Sequence, residues 1–397
     1  MSIRIEMIQS LVDQVKDEVV AWRRYLHKNP ELSFEEVNTS QFVYDTLQSF
    51  GGLEVSKPTK TSVLARLNGA YLGPVLALRA DMDALPITEE NDFDFVSRFP
   101  GKMHACGHDG HTAMLLGVAQ ILCGLRHEIH GEVRFIFQHA EELFPGGAQE
   151  LVHAGVIDGA DSVIGIHLWS PLEVGKVSVM SGPMMAGPDT FHIRIHGQGG
   201  HAAEPHVNID PILIASQVVT NLQHIVSRNV DPLEQLVLSV TQFHAGTAHN
   251  IIPETVELCG TVRSFKTELR QKVPELMERI IKGITGAHGS TYEFEYQGGY
   301  RPVINDEAVT KKVWDSLTDI FPEGTVVEGV PDMGGEDFSA YQAKVPGTFF
   351  YVGAGNLQEG ITFPHHHPKF TVDETSLSIG VMSFVGIVLK QLCPTIG

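Results

Sequence analysis

Apolar residues along this chain recur in two rhythms, and the rhythm changes along its length. From residue 6 to about 28, positions such as Ile8, Leu11, Val15 and Val19 repeat at helical spacing, which predicts a helix ended by Pro30. A second helix is expected over 36–50, stopped by Gly51-Gly52. Short continuous apolar runs follow at 62–67 and 74–80, and again at 132–138, 163–168 and 348–355. Runs of that length read as interior strands of a sheet covered on both faces. Between them lie helical stretches at about 110–125, 150–157, 306–320 and 374–392. Alternation of strand and helix predicts an α/β fold with a mostly parallel sheet.

The middle of the chain has another pattern. In FHIRIHG, Phe191, Ile193 and Ile195 alternate with His192, Arg194 and His196, as in a half-buried strand. A helix from Pro211 to about Ser227, strands at 236–243 and 255–263, a helix at 267–287 and a strand at 291–297 complete a β-α-β-β-α-β order. That order predicts a split βαβ, ferredoxin-like unit. The expected organisation is a discontinuous catalytic domain, 1–187 and 300–397, with a lid or dimerisation domain inserted at 188–299.

The 397-residue length agrees with two domains, because single cores rarely grow past roughly 250–300 residues. Apolar residues make up 43%, enough for a sizeable core. A formal net charge of −20 argues against nucleic acid or an anionic membrane as a partner. The apolar run Leu377–Leu389 is shorter than the roughly 20 residues a bilayer requires, so a buried helix is expected. Cysteines at 106, 123, 259 and 393 have no regular spacing; no disulfide framework is implied, and a cytoplasmic location is the simplest expectation.

Candidate chemistry gathers after the core strands. Residues 104–111, HACGHDGH, hold three histidines, a cysteine and an aspartate. On an extended loop Cys106 and His108 could face one ion; the plain alternative is a polar loop of hydrogen-bonded histidines. Asp81 and Asp83 follow one strand, Glu141 and Glu142 another, and His167 ends a third. Each has an ordinary reading: a capped turn, a helix N-terminus, a satisfied core histidine. Together with the histidines at 365–367 they fall where open α/β sheets place ligands, outside the strands' C-terminal ends. One cysteine, one glutamate and three histidines exceed a single tetrahedral zinc site and fit two ions with shared ligands better.

Stretches spanning nearly the whole chain carry a resemblance: RRYLHKNPELSFEE (23–36), RADMDALP (79–86), HACGHDGHTAMLLG (104–117), AEELFPGGA (140–148), GQGGHAAEP (197–205), AGTAHNIIP (245–253), GTVRSF (260–265), MGGEDFS (333–339) and HHPKF (366–370). In these the chain resembles the metal-dependent amidohydrolases that include bacterial aminoacylases, hippurate hydrolase and plant indole-acetyl-amino-acid hydrolases, relatives of carboxypeptidase G. Within them it is similar to the thermostable aminoacylases of bacilli. The resemblance implies two divalent metal ions per subunit, zinc, manganese or cobalt. Cys106 would bridge them, His108 and His167 would complete one site, and Glu142 and His366 the other. Glu141 would be the general base acting on metal-bound water. His201 would stabilise the oxyanion across a dimer interface, and Asn250 and Arg263 would bind the substrate carboxylate. Asp81 and Asp83 would orient ligands rather than bind metal. Two positions depart from the pattern: His139 stands where the family often has proline, and Asp81 where distant relatives carry a metal-binding histidine. The implied reaction is hydrolysis of an N-acyl-L-amino acid, by a homodimer or homotetramer joined through the lid. Three alternatives stay open: a dipeptidase or carboxypeptidase of the same chemistry, a non-catalytic metal-binding protein, and a structural metal site.

Overall fold

The structure, a computed structural model, describes residues 2–394. The chain divides into two compact units. One comprises Met1–Met184, Ile304–Val330 and Asp337–Gly397; the other comprises Met185–Val303 and Pro331–Glu336.

The first unit is built on an eight-stranded mixed sheet. Its order is Glu54–Ser56, Val63–Asn68, His130–Gln138, Tyr71–Asp81, Ser162–Glu173, Gly347–Gly355, Val177–Val179 and Val326–Glu328. The four central strands run parallel. They are the apolar runs of the sequence; Gly347–Gly355 is buried throughout and His130–Gln138 from Val133 onward. Antiparallel pairing is confined to the flanks, where Val63–Asn68 joins His130–Gln138 and Val177–Val179 joins Gly347–Gly355. Helices Ser2–Lys28, His108–Gly124 and Thr375–Leu392 pack against one another over this sheet. At Gly117 a Cβ would stand 2.6 Å from Val19 Cγ2, so the close approach of the first two of these helices needs a residue without a side chain there. Thr375–Leu392 is long and apolar enough to cross a membrane by composition, but it lies in the core of this unit.

The parallel register brings the strand ends level. Asp81 is opposite Gln138, and Arg79 is opposite Gly165, which sets His167 beside Asp81 two residues further on. The strand predicted over 163–168 continues to Glu173, because its outer part still pairs with Gly355 across an irregularity in register.

The second unit is a four-stranded antiparallel sheet in the order Leu236–Ala245, Thr255–Ser264, Gly187–His196, Thr291–Gly298. Helices Pro211–His224 and Thr267–Ala287 pack on it. Phe191, Ile193 and Ile195 enter that core, as their alternation requires. The first helix is shorter than its periodicity predicts, because Ile225–Asn229 winds into a π-turn.

Candidate metal centre

Four loops of the first unit converge at the C-terminal edge of the parallel strands. Gly107 (φ +97°) turns the chain sharply between Cys106 and the helix His108–Gly124, a left-handed conformation that favours glycine. This turn lets Cys106 and His108 face the same way despite lying two residues apart. The ligand atoms of Cys106, His108 and His167 lie within 4.8 Å of one another, and so do those of Cys106, Glu142 and His366. Cys106 is the member common to both groups. His108, Glu141 and Glu142 form a third group of the same tightness. Cys106 Sγ is 3.5 Å from His167 Nε2, and His366 Nε2 is 3.2 Å from Glu142 Oε1.

Hydrogen bonds on the far ring nitrogens set the tautomers. His167 Nδ1 lies 2.7 Å from the Leu168 carbonyl, and His108 Nδ1 lies 2.9 Å from the Asp83 carbonyl. A carbonyl only accepts, so both Nδ1 atoms carry protons, and in the neutral ring, the form that binds a cation, the Nε2 lone pair faces the centre. Among the described residues the buried His108 Nε2 has no hydrogen-bond partner, and Glu142 Oε1 faces the ring nitrogens of His366 (3.2 Å) and His108 (3.8 Å). Burial, then Glu142 and Glu141, push the Cys106 thiol well above its usual range. Burial works against a charged His108, yet Asp81, Asp83 and Glu142 outweigh it and lift its pKa to about 10. Crowded carboxylates, a thiol and a partnerless ring nitrogen of this kind fit divalent cations, which would neutralise the carboxylates and stabilise the thiolate.

Three neighbouring histidines, 111, 365 and 367, are engaged elsewhere. Leu168 N–H donates to His111 Nε2 (2.8 Å) while His111 Nδ1 lies 2.6 Å from Asp81 Oδ1, so His111 is a neutral bridge without a spare lone pair. Ser170 N–H donates to His365 Nε2, and Lys369 N–H donates to His367 Nδ1. Among 365–367, His366 is therefore the one that faces Glu142. It has φ +65°, and its N–H donates to the Ala105 carbonyl, which ties its loop to the Cys106 loop.

Asp83 organises the site without entering either three-membered group. It is buried, and its Oδ1 and Oδ2 accept from the backbone N–H groups of Glu141 and Glu142, each at 3.0 Å. Ser33 Oγ donates to Oδ2, and Oδ1 is 3.2 Å from His108 Nδ1. Asp81 is bound by His111 and by the Arg79 guanidinium. Arg79 also donates to Gln138 and Asp337, and Gln138 donates to Asp337 in turn. Sequence reasoning passed over Arg79 and Ser33. A charged residue inside the apolar run VLALRA was the available signal for Arg79; Ser33 had none.

The remaining predicted residues lie in the second unit. Gly200–His201 pairs with Ile251–Ile252, and Ala202 N–H donates to the Asn250 carbonyl, so His201 and Asn250 are neighbours. Both are exposed. Ala203 N–H donates to His201 Nδ1 (3.1 Å), which leaves the proton of the neutral ring on Nε2. Arg263 is half-buried at the other end of the sheet, opposite Pro188, whereas Thr255 is opposite His196. Eight residues of extended strand, about 26 Å, separate those two ends. The unit does not bring Arg263 together with His201 and Asn250.

The model of peptidase family M20/M25/M40 matches residues 77–390. An N-acyl-L-amino acid amidohydrolase of Geobacillus stearothermophilus is 69% identical over 300 residues, 76% of this chain and 81% of that protein. Thermostable carboxypeptidase 1 of Saccharolobus solfataricus is 41% identical over 97% of this chain and 98% of its own. Among solved structures, the Bacillus subtilis YXEP protein, described as a dinuclear metal-binding peptidase of the M20 family, superposes with a TM-score of 0.82 at 38% identity, covering 95% of this chain and 98% of that one. With a parallel sheet edge that carries two ligand groups joined at one cysteine, the chain belongs to peptidase family M20/M25/M40, as a metal-dependent amidohydrolase.

Proposed function

We propose that this protein hydrolyses the amide bond of N-acyl-L-amino acids to a carboxylate and a free amino acid. The observation that carries this reading is the pair of three-residue ligand groups sharing Cys106, with Glu141 beside the ligand Glu142. Cys106, His108 and His167 would hold one cation, and Cys106, Glu142 and His366 the other. Thiolate, imidazole and carboxylate donors together suit zinc, manganese or cobalt. When bound, such ions acidify water and polarise the scissile carbonyl.

The protein's own groups do the rest. Glu141 takes the proton of the attacking water and delivers it to the leaving amine. Asp83 fixes the Glu141 backbone so that this carboxylate meets the water at one place. The Nε2–H of His201 donates to the developing oxyanion. Asn250 and Arg263 bind the substrate carboxylate, and the guanidinium can do so with two parallel hydrogen bonds.

The distance between the His201–Asn250 end and the Arg263 end favours a site shared between two copies. One chain would supply Arg263 and the other His201 and Asn250, in a homodimer or a larger homo-oligomer joined through the inserted unit. In that unit the strand Leu236–Ala245 has an edge unpaired among the described residues, with exposed Phe243 on the strand and exposed Leu213 on the helix Pro211–His224. The inserted unit, residues 188–299, would serve as lid and dimerisation domain. Four cysteines without a disulfide favour a reducing, cytoplasmic setting.

A carboxypeptidase is the second reading, favoured by the Saccharolobus relative. Both are tested by comparing N-acetyl-L-methionine with unblocked dipeptides, using wild type and Glu141→Gln. The proposal expects preference for the acylated substrate and a kcat loss of about 10²–10⁴ in the variant. Preference for dipeptides favours the second reading, and normal turnover by Glu141→Gln removes Glu141 as the base.

A further inference from the structure

The stretch NPELSFEE (29–36) contributes no ligand and no base, yet it is stitched to the metal-centre loops. Leu32 bridges to Ala84, Ala84 N–H donates to the Glu31 carbonyl, and Ser33 Oγ donates to Asp83. At its end Glu36 is fully buried, although its neighbour Glu35 is exposed. One oxygen of Glu36, Oε1, accepts two backbone N–H groups, from Phe34 at 3.0 Å and from Ala140 at 2.8 Å.

Those two donors have an unusual property in common. Among the described residues, three non-glycine residues have positive φ: Phe34 (+68°), Ala140 (+49°) and His366 (+65°). Glu36 Oε1 therefore binds the N–H of two of the three. A left-handed conformation is disfavoured for an L-residue and persists only where its surroundings enforce it. Ala140 is the residue at which the chain leaves the strand His130–Gln138 and turns into Glu141-Glu142. Its carbonyl accepts from Gly147 N–H (2.9 Å), so it is held from both sides. Glu36 and Asp83 thus bind three successive amides, 140, 141 and 142, with two buried carboxylates.

We propose that Glu36 is a positioning residue for the glutamate pair: by accepting from Ala140 N–H it holds the left-handed turn that aims Glu141 and Glu142 at the metal centre. This rests on the reading of Glu141 as base and Glu142 as ligand. Glu36→Ala removes the acceptor and frees the turn, whereas Glu36→Gln keeps an oxygen that can accept. Ala140→Gly offers the same conformation without steric cost, and so makes the acceptor less necessary.

The test measures kcat and KM on N-acetyl-L-methionine, and the rise in Tm produced by Mn²⁺, for the full-length variants. Glu36→Ala is expected to lose about 100-fold in kcat with little change in KM, in line with a displacement of about 1 Å at the reacting groups. Its Mn²⁺-induced rise in Tm should shrink as well, because Glu142 moves with Glu141. Glu36→Gln should retain most of the kcat, Glu35→Gln all of it, and the loss should be smaller when Glu36→Ala is combined with Ala140→Gly. If Glu36→Ala does not fold, Glu36→Asp, which withdraws the oxygen by one methylene, is read in its place. A folded variant with kcat within twofold of wild type and an undiminished response to Mn²⁺ overturns the proposal. Glu141→Gln separates the two readings: if it turns over normally the base assignment fails, and if it is inactive while Glu36→Ala is normal only the role of Glu36 fails.

Discussion

Replacing Asp83 by asparagine isolates the device that holds the two glutamates. The side chain keeps its shape and volume, so no cavity opens. What changes is that one oxygen becomes an NH2 donor and the charge is lost. In wild type Oδ1 faces Glu141 N–H and Oδ2 faces Glu142 N–H and Ser33 Oγ. Whichever way the amide turns, one of the two backbone N–H groups meets a donor, and the other keeps only a neutral acceptor. Hydrogen bonds to a charged group contribute about 1.5–3 kcal/mol each, and a buried unsatisfied donor costs a similar amount. Impairing both should lower stability by about 3–6 kcal/mol, a large share of the 5–15 kcal/mol typical of a folded protein. The same change releases the backbone of Glu141, and a shift of about 1 Å there is worth about 100-fold in kcat. The assay is urea unfolding, read as a lower midpoint at unchanged slope, together with kcat at saturating Mn²⁺. An Asp83→Asn protein within about 1 kcal/mol of wild type and within a few-fold of its kcat would refute the argument that these two amides are held by this carboxylate.

Further outcomes follow from other parts of the structure. Gly107→Ala should cost about 1–2 kcal/mol, because the penalty is in its φ of +97°; the nearest atoms to a new Cβ, at 3.4 Å and beyond, leave room for it. Chemical denaturation measures this, and an unchanged midpoint would show that the turn does not need glycine. Glu374 accepts from Arg23 and from both Nε and Nη2 of Arg24. Burial raises its pKa, but these guanidinium groups outweigh burial and leave it below the usual 4.5. A depressed carboxyl pKa contributes stability that is complete above the unfolded value and lost as pH falls through the folded one. Wild type should therefore exceed Glu374→Gln in stability at pH 7, and the gap should close as pH drops below about 4.5; a gap independent of pH contradicts this. His201→Ala and Glu141→Gln, each inactive alone, should regain activity when their subunits are allowed to exchange. No recovery in freely exchanging mixtures argues that His201 acts within its own chain.

The candidate residues were legible because they are uncommon residue types placed after apolar strands. The rule that α/β sheets gather ligands at strand ends pointed to Cys106, His108, the pair Glu141 and Glu142, and His167; which glutamate would be the ligand and which the base came only from the family resemblance. The choice among His365, His366 and His367 could not come from residue type. It depends on which ring nitrogen already accepts a backbone N–H, and Ser170 and Lys369 supply those donors from elsewhere in the fold. His111 escaped in the same way, because its Nε2 is taken by Leu168 N–H. Glu36 was invisible for a simpler reason. It recognises a backbone amide 104 residues away, and any residue can supply an amide. In the fold, the long apolar strands and amphipathic helices were readable from period alone. The three-residue strands Val177–Val179 and Val326–Glu328 are too short to show a period, and the antiparallel flanks of the sheet depend on pairing choices that no local pattern records.

The central claim is that two cations, joined by Cys106, are needed for hydrolysis, and it is tested most directly by titrating the metal-stripped protein. N-acetyl-L-methionine hydrolysis is followed as Mn²⁺, Zn²⁺ or Co²⁺ is added, with bound metal counted per chain at each point. The account predicts no activity in the stripped protein and full activity only as occupancy reaches two ions per chain. Full activity with no metal, or with one ion and no second ion binding, would contradict it.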